Sequence, residues 1–243
     1  MYRICKSYAD QSLCVSELAD ACVVLKEKFK YSSPDARTVA LENVISIARP
    51  GQMILNLLDS WAKGDEMTRQ VIPQLIGLTT VTPEGVQMAG DMLKKSAKLG
   101  FVVLAQFQIE NVFRNIAREL KMPPVGTGFY RTTDALLKTL AIPADRMDIL
   151  NTPARIRNSL HSNGIHHRQH PSESQRVTIG GVIYDFEDGK PVTCADWEHI
   201  AHALEASIGV LDEVFSSSAV RAIRDPMMDQ YAWEQETKPE NAV

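Results

Sequence analysis

The sequence predicts an all-α chain, a helical bundle interrupted by one small β-hairpin. Three observations carry this reading. From Phe101 to Lys121 the apolar residues Ala105, Ile109, Val112, Phe113, Ile116 and Leu120 share one face at helical spacing. Helix punctuation recurs along the chain, with a hydroxyl residue followed by proline at Ser33-Pro34, Thr82-Pro83 and Thr152-Pro153. Only Val182-Ile183-Tyr184-Asp185-Phe186 alternates as a strand does, and Asp188-Gly189 behind it is a two-residue turn signal.

Taken in order, Ser16 is expected to cap a helix carrying Leu18, Cys22 and Leu25, and Ser33-Pro34 to open a second that stops near Pro50-Gly51. Two more are expected over Met53 to Lys63 and Glu66 to Leu78, with Pro73 as a kink or break. Residues 1–80 carry no chemical motif and read as an N-terminal helical region of adaptor or partner-binding type. A boundary is placed at Thr79 to Thr82. The second region, 81–225, opens at Thr82-Pro83, runs toward Gly100, and continues into the helix from Phe101 to Lys121.

Gln106, Glu110, Arg114 and Arg118 make a polar row at i,i+4 spacing on that helix, which reads first as a solvated, salt-bridged face. Met122-Pro123-Pro124 ends it. Gly126-Thr127-Gly128 is expected to be a mobile connection; it lacks the strand and the lysine of a phosphate loop. Thr133 then caps a helix with Leu136, Leu137 and Leu140 in its core, and Ala144 to Leu150 leads into a short motif helix. A hairpin is expected over residues 176–193, turning at Asp188-Gly189, with Gly180-Gly181 as a bulge or bend. Thr193, with Asp196 three residues on, opens the last helix, which reaches about Phe215. The tail, residues 226–243, is expected to be mobile.

Composition narrows the chemistry. Of 243 residues 44% are hydrophobic, enough for a buried core, and no apolar run approaches the ~20 residues that span a bilayer. With no signal-peptide core after Met1, a cytoplasmic location is expected. The four cysteines, at 5, 14, 22 and 194, have neither C-x-x-C pairing nor zinc-finger spacing, so reduced thiols are expected. The formal charge of −4 gives no global field for nucleic acid. Any such contact is local, and Arg155, Arg157, Arg168 and Arg176 face only Glu173 among acids between 155 and 176.

Chemistry concentrates between residues 155 and 164, Arg155-Ile156-Arg157-Asn158-Ser159-Leu160-His161-Ser162-Asn163-Gly164. Thr152 reads as an N-cap, Pro153 as the first helical residue, and Asn163-Gly164 as a left-handed stop, which predicts a helix from about Pro153 to Ser162. On it Arg157 and Asn158 stand one turn before His161, so a cation, an amide and an imidazole converge. Such a group suits proton transfer at a phosphate. It also suits a purely structural helix end, where cations satisfy exposed carbonyls. The histidines of the following loop, His166, His167 and His170, and the pair His199 and His202 lack the partners of a metal site, and none is assigned.

From about Thr82 to Arg224 the chain resembles the HEPN family, helical modules of prokaryotic RNA-cleaving toxins and defence proteins. The resemblance rests on Arg157-Asn158-Ser159-Leu160-His161, on the long helix with Glu110-Asn111-Val112-Phe113-Arg114, and on the hairpin and closing helix. The family's motif usually spaces Arg and His by four to six residues. Here Arg157 leaves three and Arg155 leaves five without the polar residue after it, so either arginine could take the catalytic place. What the resemblance implies is a HEPN-like bundle and a metal-independent endoribonuclease without cofactor, attacking phosphorus with the 2′-hydroxyl. Arg157 or Arg155, Asn158 and His161 would be catalytic. Asn163, His166 and Arg168 would hold RNA, with Glu110 or Asn111 orienting the arginine. A homodimer would supply two histidines, and an antitoxin or other protein could bind through the N-terminal helices. The alternative is a non-catalytic module of the same shape that binds RNA, nucleotide or protein.

Overall fold

The computed structural model describes residues 7–75, 77, 82–123, 128–168 and 175–229. Among these the chain is all-α with a single two-stranded hairpin, in the order α1 (Tyr8–Phe29), α2 (Ala36–Ala62), α3 (Glu66–Leu75), α4 (Pro83–Glu119), α5 (Phe129–Thr139), α6 (Arg146–His161), β1 (Arg176–Ile179), β2 (Val182–Asp185), α7 (Trp197–Ser216) and α8 (Ser218–Arg221). No described helix is long and apolar enough to cross a membrane.

Several helices are longer than their punctuation suggests. α1 starts at a capping box in which Ser7 Oγ accepts from Asp10 N at 3.1 Å and Ser7 N donates to the Asp10 carboxylate at 3.3 Å, so Ser16 lies inside the helix. α2 passes through Pro50 and joins two expected helices; Pro50 lies on the exposed side, as does Ser46, whose carbonyl loses its helical donor and can be hydrated. α4 opens on the expected Thr82 cap, with Thr82 Oγ1 accepting from Gly85 N at 3.1 Å, and continues unbroken through Gly100. α5 begins after Gly128, which leaves Thr133 buried within it rather than at its cap. α7 begins at Trp197 with Asp196 at its N-cap, and Thr193 lies outside the helix.

The hairpin also differs from the expected one. Its turn is Gly180-Gly181, both at positive φ (55° and 88°), the conformation a two-residue hairpin turn needs and glycine supplies without strain. Arg176 therefore pairs with Asp185 and Ile179 with Val182. Asp188-Gly189 turns the chain later, where Gly189 N donates to His166 O at 2.8 Å. The expected mobile connection at residues 126–127 and the tail from 230 lie outside the described residues.

α2 lies antiparallel against α4, with Asn43 in the first third of α2 donating to Gln108 in the last third of α4 at 2.9 Å. A Cβ on Gly90 would stand 2.7 Å from the Trp61 ring, so glycine lets these two helices approach closely toward the start of α4. One continuous core runs through the molecule, taking in Leu18 and Leu41 as well as Phe113, Ile156, Tyr184, Phe186, Trp197 and Leu204. It crosses the division expected near residue 80 without a break. Burying large aliphatic and aromatic side chains stabilises such a core by about 1.5–3 kcal/mol each.

The segment after α8 is tied back onto the bundle by a buried ion pair. Asp35 caps α2 and accepts from Arg37 N (2.9 Å), Nε (2.8 Å) and Nη2 (2.6 Å) and from Met227 N (2.6 Å), while Met227 O accepts from Ala36 N. The Arg37 side chain is wholly buried, donates to Val220 O, and lies 3.5 Å over the Tyr31 ring. Ser32 holds Asp225 through its backbone N and hydroxyl. Farther on, Arg118 donates to Met228 O at 2.7 Å and Asn111 to the Asp229 carboxylate at 2.7 Å.

Candidate functional site

The motif lies on the second half of α6, which is one uninterrupted helix from Arg146. Pro153 is inside it, and Thr152 turns its hydroxyl back to donate to Asp148 O at 2.8 Å instead of capping a new helix. The stop falls where the sequence puts it: Asn163 (φ 55°) and Gly164 (φ 84°) take the left-handed conformation, and Gly164 N returns to Ser159 O at 2.8 Å.

The two arginines part company on this helix. Arg155 is 6% exposed, pairs with Asp148 at 3.2 Å, and places its guanidinium 5.5 Å from the Phe186 ring of the hairpin segment. Arg157 is half-buried on another side. Its Nη1 lies 3.5 Å from Glu110 Oε1 on α4, and its Nε donates to Asn158 Oδ1 at 3.2 Å. His161 follows one turn later and is exposed. Arg157, Asn158, His161 and Glu110 are thereby brought to one surface, while Arg155 belongs to the packing beneath α6.

Glu110 is the hub on the α4 side. It accepts from Gln106 Nε2 at 3.0 Å and stands 4.0 Å from Arg114. Burial pushes its carboxyl above the ordinary Glu range, against the pull of the Arg157 and Arg114 cations. The site is thus an arginine held at two of its nitrogens by a carboxylate and an amide, with an exposed imidazole beside it. Such a pair fixes the guanidinium plane, leaves its remaining N–H groups available to an anion, and sets a proton acceptor or donor close by.

Asn111 does not turn to an arginine of α6. Its amide holds Asp229, which Asn115 also approaches at 3.4 Å. His166 does not lie in an exposed loop. It is 2% exposed, between Ser159 Oγ (3.4 Å from its Nδ1) and the Phe186 ring (5.3 Å), because an isolated bridge between Ile165 and Pro191 and the bond from His166 N to Lys190 O draw the loop onto the hairpin segment. A buried imidazole there cannot reach RNA without opening that packing. Arg168 is held by its backbone N on Asp188 Oδ1 at 2.9 Å, and Asn163 is exposed at the helix stop. His170 and Glu173 fall outside the described residues.

His199 and His202 are part of the packing of α7 on the hairpin. Tyr184 OH donates to His199 O and lies 2.9 Å from His202 Nδ1, and burial pushes both imidazoles below the ordinary histidine range. No group of three or more metal-ligating side chains occurs among the described residues. Two contributors escaped sequence reasoning. Gln106, buried, gives no sign in the polar row of which way it faces. Asp148 stands seven residues before Arg155 on one helix, a spacing that could have identified it as that arginine's partner.

Compared with protein-family models, curated proteins and solved structures, the chain matches none of them.

Proposed function

We propose that this chain is a metal-independent endoribonuclease of the HEPN type, working as a homodimer. The observation that supports it most directly is the placing of Arg157, held by Glu110 and Asn158, one helical turn from the exposed His161. In the proposed reaction His161 of one subunit takes the proton of a ribose 2′-hydroxyl, whose oxygen attacks the adjacent phosphorus. The P–O5′ bond breaks, and the departing oxygen receives a proton from the His161 of the partner subunit. Arg157 stabilises the charge that accumulates on the phosphoryl oxygens. Arg155, buried on Asp148, supports the helix instead of the reaction. An antitoxin, and a role in defence, belong to the same proposal through the resemblance.

Purified protein incubated with mixed-sequence RNA in EDTA is expected to leave fragments ending in 2′,3′-cyclic phosphate. His161→Ala is expected to lower the rate by about 10²–10⁴. Absence of cleavage by a folded dimer favours a second reading, a non-catalytic binding module. The neutralisation of Arg157 by Glu110 and the formal charge of −4 speak for that reading.

A further inference from the structure

Beneath the candidate site a polar side chain sits in an apolar setting. Gln106 is 2% exposed, on a stretch of α4 whose Val102, Ala105 and Ile109 are buried with it. Its Nε2 donates to Glu110 Oε1 at 3.0 Å, while its own Oε1, equally buried, accepts no hydrogen bond from any described residue. An ionised carboxylate only accepts, so the amide meets it through nitrogen alone and its carbonyl is left over. A buried acceptor without a donor carries its full desolvation penalty. Methionine has about the same length and would fill this place with no such atom to satisfy. What the amide adds over an apolar side chain is its one bond to Glu110.

Glu110 has two cations within reach. Arg114 follows it by one turn on α4, the usual i,i+4 partner of a helical glutamate, and stands 4.0 Å from Oε2. Arg157, on α6, lies 3.5 Å from Oε1. Gln106 donates to Oε1, the oxygen that faces Arg157. Held from the turn before, that oxygen stays directed at α6. Without the bond the carboxylate is expected to turn to Arg114, because pairing within one helix orders fewer groups. We infer that Gln106 is a positioning residue that commits Glu110 to Arg157 in place of Arg114. Its importance to catalysis rests on the proposed function, in which Arg157 meets the phosphoryl oxygens with its guanidinium plane fixed.

The test is Gln106→Met, which keeps the length of the side chain and removes the donor; Gln106→Leu serves if that variant does not fold, as circular dichroism would show. In nitrogen-15 NMR of the arginine side chains, the Arg157 signals are those missing from Arg157→Lys. In the wild type its Nη groups are expected to be resolved, since a guanidinium held on two sides rotates slowly. In Gln106→Met they are expected to merge, and adding Arg114→Met, which removes the competing cation, is expected to resolve them again. Nη signals already merged in the wild type, signals unchanged by Gln106→Met, or merging that persists in the double variant would overturn the inference. In an enzyme that cleaves RNA, Gln106→Met is expected to lower kcat by up to about 10²-fold with KM little changed, and an unchanged kcat would overturn the role in catalysis. If the wild type does not cleave RNA the nuclease reading fails, and the Arg157 signals alone decide what Gln106 does.

Discussion

Replacing Asp35 by alanine removes a fully buried carboxylate that accepts four hydrogen bonds, three from Arg37 and one from Met227 N. Losing its role as helix cap costs about 1 kcal/mol. The larger consequence is that Arg37, with no exposed side-chain surface, keeps its charge and loses its counter-ion. Breaking a buried pair from one side costs about 3–5 kcal/mol, and since the cap shares the same atoms the two costs overlap, giving about 4 kcal/mol in total. For a chain of this size that lowers the midpoint of thermal unfolding by roughly 8–16 °C. The expected result in urea denaturation, monitored by circular dichroism, is an earlier midpoint, with Asp35→Asn falling between the wild type and Asp35→Ala. Removing both charges in Asp35→Ala/Arg37→Met should recover much of the loss, because the penalty belongs to the stranded cation. A single-variant loss under about 1 kcal/mol, or a double variant worse than the single, would refute this reasoning.

Three other outcomes rest on named contacts. Burial raises the carboxyl of Glu110 above its ordinary value of 4.5, so its contribution to stability is fully present below that value and is lost as pH rises through the raised one; the stability of Glu110→Gln relative to wild type should therefore grow from pH 4.5 upward, and a flat difference across pH 4–7 would contradict this. Arg155→Ala should cost about 2–3 kcal/mol through lost packing on Phe186 and lost pairing with Asp148, whereas Arg157→Ala, at a partly exposed pair, should cost at most about 1 kcal/mol in the same urea titration. Burial, with the nearby Glu205 carboxylate, pushes the Cys22 thiol up to about 12, so at pH 8 native protein should resist alkylation there, as peptide mass analysis would show; labelling at the rate of a free thiol would disprove it.

What could be read from the sequence depended on how local its cause was. The apolar face of α4, the Thr82 cap, the Asn163-Gly164 stop and the close of α7 near Phe215 are each set by neighbours within a turn or two, and those readings match the structure. Prolines misled where tertiary packing outweighs their local cost, as at Pro50 on a solvent face and Pro153 within α6. Two glycine-containing turns competed for the hairpin, and cross-strand pairing chose Gly180-Gly181 over Asp188-Gly189. At the site, the spacing to His161 left Arg155 and Arg157 as alternatives and could not say which faced inward, since that depends on where the hairpin lands. Glu110 does reach Arg157. The turning of Asn111 toward Asp229, 118 residues away, has no local signature at all.

The continuous core has a consequence for the order in which the chain can fold. α2 presents its apolar face to α4 and α1 presents its own to α7, and Lys28 on α1 meets Asp212 across 184 residues of sequence. As the chain leaves the ribosome, α4 can cover α2 early, but the face of α1 that meets α7 must stay exposed until the end of α7 has been synthesised. Long-range closure of this kind slows folding and prolongs the time in which apolar surface meets other molecules. A nascent chain halted before Trp197 should engage chaperones far more persistently than one halted after Arg221.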